Sequence, residues 1–175
     1  MGIHFSHRVP VYASCRTQPG QNAPAVRVLL ADDHGLYRQG LRQVCETQPD
    51  IEVIGEAKNG REAVQLALAL RPDVILMDIK MPILDGIQAT TQITEQAPEI
   101  GVIILTVYRD PQHILEALQA GARAHLLKDI SEDTLLQVVR AVARGEALID
   151  SQVTGLLLER FRYISQAQVG LQGRL

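Results

Sequence analysis

The chain has 175 residues, of which 46% are hydrophobic, and a mean hydropathy of +0.04, enough apolar material for one packed core. Aromatics are 3% and tryptophan is absent, which argues against a stacking platform for single-stranded nucleic acid. The net charge of −3 divides unevenly: residues 1–25 hold two arginines and no acid, residues 151–175 hold three arginines and one glutamate, and residues 26–150 carry −7, a poor nucleic-acid surface.

Residues 1–24, with Pro10, Pro19, Gly20 and Pro24 and no sustained periodicity, read as a flexible leader. Val26 to Ala31 is the first strand, ending in Asp32-Asp33, and a helical pattern follows with Leu36, Gly40, Leu41 and Val44 on one side. Ile51 to Ala57 reads as the second strand. Asn59-Gly60 turns into a helix from Arg61 to Leu70, which Pro72 ends. Val74-Ile75-Leu76-Met77 is the third strand, delivering Asp78 to its end, and a helix follows from about Gly86 to Gln96. Val102 to Leu105 is the fourth strand, followed by Thr106. Pro111 opens the next helix at a position that needs no amide hydrogen, and Gly121 lies at its end. Ala124 to Leu127 forms a short fifth strand capped by Lys128. The helix starting at Ser131-Glu132-Asp133 stops at Gly145. An amphipathic segment from Asp150 to about Tyr163 carries Val153, Leu156, Leu157 and Phe161, and residues 165–175 read as an exposed tail.

Short, nearly all-apolar strands alternating with helices predict a doubly wound α/β fold with a parallel sheet covered on both faces. Functional groups in such sheets collect beyond the carboxyl ends of the strands. Those positions hold Asp32, Asp33, Asp78, Thr106 and Lys128. Taken singly, an aspartate caps a helix, a threonine closes a turn and a lysine is solvated. Taken together, three carboxylates repel unless a cation intervenes, and hard oxygen ligands with open positions suit Mg²⁺. A metal-bound carboxylate opposite an ammonium and a hydroxyl is a phosphoryl-transfer arrangement, with Asp78 the natural nucleophile.

Asp32-Asp33, the run Asp78-Ile79-Lys80-Met81-Pro82-x-x-Asp85-Gly86, Ile104-Leu105-Thr106 and Leu126-Leu127-Lys128-Asp129 resemble the receiver domain of two-component response regulators. The likeness covers roughly residues 25–150, taken as a receiver over 25–148 followed by a linker helix and tail over 149–175. It implies a CheY-like five-stranded sheet of order 2-1-3-4-5. It further implies Asp78 as phosphoacceptor and Asp32, Asp33, Asp78 and the Lys80 backbone carbonyl as Mg²⁺ ligands. Thr106 would be the switch hydroxyl, Lys128 the phosphate contact, and Lys80 and Tyr108 the borders of the hydrolytic water's path. The implied activity is signalling, not enzymatic turnover, apart from self-catalysed phosphotransfer and slow autodephosphorylation.

Asp32-Asp33-His34-x-Leu36-x-Arg38-x-Gly40-Leu41 and Glu116-Ala117-Leu118-x-Ala120-Gly121-Ala122 are similar to receivers of NarL/LuxR-type transcription regulators. That subfamily implies a histidine kinase as donor and dimerisation on activation, with the exposed sides of the first and last helices the surface to test and the fourth-helix face left open beside it. It also implies DNA contact through an output domain, for which no helix-turn-helix pattern follows Phe161. A fragment of a longer regulator is favoured over a stand-alone receiver. Two positions depart from the pattern. His125 stands where a rotating Tyr or Phe is usual, which leaves it either a switch able to titrate near neutral pH or a residue packed at a strand edge. Gly35 replaces a Pro and loosens the first helix start.

Three other readings compete. A haloacid-dehalogenase-like phosphatase needs a second acid where Lys80 stands, and a nucleotide-binding module needs a glycine-rich turn after the first strand. A phosphorylation-independent pseudo-receiver, serving as an interaction surface, has no use for all five rim groups. Cys15 and Cys45 have no metal-ligand or CxxC spacing and are expected as reduced cytoplasmic thiols. Tyr12-Ala13-Ser14-Cys15 lacks the apolar stretch that a lipoprotein signal needs, and no apolar run approaches the roughly 18 residues of a membrane span.

Overall fold

The computed structural model describes residues 23–149 and 151–172. The sheet has five parallel strands in the order β2-β1-β3-β4-β5, formed by β1 (Val26–Ala31), β2 (Ile51–Ala57), β3 (Val74–Asp78), β4 (Gly101–Thr106) and β5 (Ala124–Leu127). Between them run α1 (Gly35–Glu46), α2 (Gly60–Leu70), α3 (Gly86–Gln96) and α4 (Pro111–Gln119), followed by α5 (Glu132–Ala143) and α6 (Ser151–Gln172). This is the predicted order, and each strand matches its expected span to within one residue. Residues 1–22 of the predicted leader, including Cys15, lie outside the described residues.

Both faces of the sheet are buried, as continuous apolar strands require. Leu29, Ile75, Met77, Val102 and Ile104 pack with Ala63, Ala67, Ala89 and Ile93 from α2 and α3. Their strand neighbours Val28, Leu30, Val74, Leu76, Ile103 and Leu105 pack with Leu41, Cys45, Leu135, Val139 and Val142 from α1 and α5. The helices start on sequence-encoded caps. Asn59 accepts from the Glu62 amide, Asp85 and Gln88 form a reciprocal capping box, and Asp110 and Ser131 accept from Gln112 and Thr134. The glycines expected to end α4 and α5 do so at φ 104° (Gly121) and 89° (Gly145).

The loop leaving β3 is held by close backbone approach. A Cβ on Gly86 would lie 1.8 Å from the Asp78 carbonyl oxygen, and one on Gly60 would lie 2.1 Å from that of Leu84. Neither position admits a side chain without moving the backbone. These contacts fix the chain immediately after Asp78.

Two expectations are corrected. Leu36 is not on the core side of α1 but 85% exposed, because the inward positions belong to Arg38, Leu41 and Cys45. Arg38 is buried since its guanidinium donates to the Asp32 carbonyl (2.6 Å) and the Glu56 carboxylate (2.7 Å). The second concerns the C-terminal segment, read as an exposed tail from residue 165: its backbone stays helical, and α6 continues to Gln172. Ser165-Gln166-Ala167-Gln168 contains no helix breaker, and the single Gly170 is tolerated. Helix α6 lies along α4, with Glu159, Arg160 and Tyr163 beside Pro111, Gln112 and Leu115. Among the described residues, no helix is long and apolar enough to cross a membrane.

Candidate functional site

Strand register assembles the site. Ala31 pairs with Met77, so Asp32 emerges beside Asp78; Asp78 pairs with Leu105, so Thr106 emerges one step beyond it. Thr106 pairs with Leu127, and the Lys128 amide donates to the Thr106 carbonyl at 2.9 Å. All five rim residues read from the sequence therefore reach one end of the sheet.

The geometry is that of a charge-compensated acidic cluster. Lys128 Nζ is 2.6 Å from Asp32 Oδ2 and 3.3 Å from Asp78 Oδ2, and both carboxylates are buried. Asp32 Oδ1 accepts from the His34 amide at 2.8 Å, and Asp78 Oδ1 accepts from the Ile79 amide at 2.9 Å. Burial foremost, then the charge of Asp32, pushes the Asp78 carboxyl up to about 6, although Lys128 and the Ile79 amide favour its ionised form. Asp33 is more exposed. One ligand atom from each of Asp32, Asp33, His34 and Asp78 falls within 4.8 Å of all the others. A dense set of carboxylates with one member destabilised as an anion fits a divalent cation.

Thr106 is fully buried, and its hydroxyl accepts the Tyr108 amide at 3.1 Å. Lys80 is exposed on the loop after β3 with its ammonium 4.3 Å from the Tyr108 ring centroid, and Tyr108 stacks on His113 of α4 at 5.7 Å. His125 sits on β5, paired with Ile104. Its Nε2 is the one buried side-chain polar atom without a hydrogen-bond partner among the described residues, and burial pulls its pKa below the ordinary value.

Sequence reasoning missed two neighbours. His34 joins the acidic cluster, with Nδ1 3.1 Å from Asp33 Oδ1. Tyr37 lies with its ring 4.5 Å from Lys128 Nζ, and burial followed by the charges of Asp32 and Asp78 pushes its phenol up to about 12. The signal for Tyr37 was its place in the first turn of the helix that follows Asp32-Asp33.

This combination of fold and site is that of a receiver domain. The chain belongs to the response regulator receiver domain family, which it matches over residues 28–140. It is 45% identical over 138 residues to the transcriptional regulatory protein LiaR of Bacillus subtilis (strain 168), covering 79% of this chain and 65% of that protein. It is 39% identical over 137 residues to the response regulator protein VraR of Staphylococcus aureus, covering 78% of this chain and 66% of VraR. The chain thus spans just under two-thirds of the length of these curated relatives. Among solved structures, it is similar to the signal receiver domain of the putative response regulator NarL from Mycobacterium tuberculosis (TM-score 0.69, 33% identity, 71% of this chain and 100% of that one). It is likewise similar to a LuxR-family two-component response regulator from Aurantimonas sp. SI85-9A1 (TM-score 0.70, 29% identity, 78% of this chain and 97% of that one). Its relatives are LuxR/NarL-family regulators, and the domain is a signalling receiver and not a conventional enzyme.

Proposed function

We propose that Asp78 accepts a phosphoryl group from a sensor histidine kinase, with Asp32, Asp33, Asp78 and the Lys80 backbone carbonyl as the residues that hold Mg²⁺. The supporting observation is the buried Asp78 carboxylate itself, 3.3 Å from Lys128 Nζ, beside two further acids at the end of β3. When bound, Mg²⁺ supplies positive charge to the acids and to the phosphoryl oxygens. In the transfer, the P–N bond of the donor phosphohistidine breaks as a P–O bond to an Asp78 carboxylate oxygen forms, and the released imidazole keeps the electron pair of the broken bond. Asp78 must be ionised to attack, a form that the Lys128 ammonium and the Ile79 amide favour.

The residues around Asp78 then read the new charge. Lys128 exchanges its hold on Asp32 for a phosphoryl oxygen. The Thr106 hydroxyl turns from accepting the Tyr108 amide to donating toward the phosphoryl group, which pulls on the chain leading into α4. His125, one strand over, follows by rotating inward. Reversing a 1:99 equilibrium requires about 5.5 kcal/mol of differential interaction, so one modification biases a pre-existing active form without fully converting the population. Lys80 and Tyr108, held together by their cation–π contact, border the approach of hydrolytic water. Residues 25–148 form the receiver, and 149–175 a linker helix and tail toward a NarL/LuxR-type output. In that assembly phosphorylation promotes dimerisation and transcription control, DNA contact belongs to the output domain, and the protein works in the cytoplasm.

Incubation with Mg²⁺ and acetyl phosphate should label the chain at Asp78, and Asp78→Asn should abolish labelling. Robust Mg²⁺-dependent labelling of the variant at this site would overturn the assignment. Beryllofluoride, followed by oligomeric state, tests dimerisation in the same preparation.

A further inference from the structure

We infer that Tyr37 is a positioning residue for Lys128: the face of its ring holds the ammonium at the rim, where it meets the phosphoryl group carried by Asp78. The inference rests on the receiver reading and adds to it a residue outside the five rim groups. Lys128 Nζ lies 4.5 Å from the Tyr37 ring centroid, within cation–π range, while it stands 2.6 Å from Asp32 and 3.3 Å from Asp78. Two carboxylates and one aromatic face thus enclose the ammonium. The Lys128 side chain is only 12% exposed, so water screens the contact little.

The ring is fixed independently of Lys128. Arg38, the next residue, pins the first turn of α1 to the Asp32 carbonyl at 2.6 Å and to Glu56 at 2.7 Å. Tyr37 itself packs against the core face that holds Leu41, Leu135 and Val139. Its hydroxyl forms no hydrogen bond among the described residues, which leaves the ring face as its contact with the site. Tyr37 and Lys128 also line an open cleft of about 580 Å³ between α1 and the start of α5, and loss of the ring would widen that cleft onto the ammonium. Before transfer, both acids hold Lys128 and the ring is one support of three. Once Asp78 carries the phosphoryl group and Asp32 serves the metal, both acids are committed, and the ring is the support that stays. A long, flexible side chain gains most from such a wall when its other contacts exchange. The competing arrangement has Tyr37 merely packing α1 against the core, with its distance to Lys128 incidental.

The two arrangements separate when the electron density of the ring is varied at nearly constant shape. The full chain is prepared as Tyr37→Phe, as Tyr37→Leu, and with phenylalanine at position 37 carrying one, two or three fluorines. Each form is titrated with beryllofluoride at saturating Mg²⁺. Tyr37→Phe should keep most of the parent affinity, and Tyr37→Leu should lose about tenfold. The fluorinated series should weaken stepwise from Tyr37→Phe, as the ring face loses its negative potential. By NMR, the Lys128 ε-methylene protons should be shifted upfield by the ring in the parent and in Tyr37→Phe, and not in Tyr37→Leu. A flat fluorinated series, parent affinity in Tyr37→Leu, or an unshifted Lys128 in the parent would each overturn the inference and leave the receiver reading standing. A parent chain that takes up no beryllofluoride would overturn the receiver reading and the inference with it.

Discussion

Two parts of the same sheet, the rim around Asp78 and the edge around His125, handle buried polar groups in opposite ways. At the rim, both oxygens of Asp32 and both of Asp78 face a donor or a cation. At the edge, His125 buries Nε2 with no partner. The rim is electrostatically over-determined and the edge is under-satisfied. Unpaired buried polar atoms favour rearrangement, since any conformation that wets or pairs them recovers free energy. The β5 edge is therefore the side on which the resting conformation leaves a buried polar atom unpaired.

The strongest way to break the comparison is to remove the rim's cation. Lys128→Ala leaves Asp32 and Asp78 facing each other uncompensated and should destabilise the fold by about 3 kcal/mol at pH 8, measured by denaturant unfolding. The loss should shrink as pH falls toward about 6, because without Lys128 the Asp78 carboxyl is pushed up further and the variant takes up its proton first. A pH-independent loss would mean that Lys128 acts through packing alone.

Asp78→Asn sharpens the same point from the other side. The carboxyl titrates near 6 in the folded chain against 3.8 ordinarily, so folding raises its pKa. The folded state then binds more protons than the unfolded one between those values, and the ionised carboxylate is a cost fully present above about pH 6. The variant should be more stable than the parent by about 3 kcal/mol at pH 8, with the gain vanishing below about pH 4. Equal stabilities at pH 8 would show that Lys128 fully offsets the burial of the charge.

The edge predicts a smaller effect of opposite pH sense. Burial holds the His125 pKa below the ordinary 6.5, so its contribution to stability is present above 6.5 and lost as pH falls through the lower folded value. His125→Phe removes the orphaned nitrogen and should stabilise by about 1 kcal/mol at pH 8, with the margin growing in acid. A margin that narrows in acid would contradict the assignment. Smallest of all, Tyr108→Gly should speed dephosphorylation roughly threefold, about 0.7 kcal/mol of barrier, by opening the approach that Tyr108 and Lys80 border. An equal or slower rate would remove Tyr108 from that role.

Much of this was legible in the chain because apolar runs and their terminating residues are local. Val74 to Met77 ends in Asp78, and Val102 to Leu105 ends in Thr106; once the sheet is parallel, strand-end residues converge. Capping by Asn59, Asp85, Asp110 and Ser131, and the left-handed stops at Gly121 and Gly145, are equally local. Leu36 escaped because the α1 pattern admits two apolar sides, and only the pairing of Arg38 with Glu56 on β2 decides which turns inward. His34 and Tyr37 escaped because their partners are distant in sequence or depend on a ring turning back. Helix α6 outran its amphipathic segment because a pattern marks where burial ends, not where the backbone stops being helical.

By itself the sequence determined the order of strands and helices and the five groups at the sheet's carboxyl end, since both follow from short-range periodicity and chain direction. Only the tertiary structure decided that Lys128 bridges Asp32 and Asp78 and that His125 is left without a partner. Those outcomes depend on distances between side chains from different strands and helices, which no local pattern encodes.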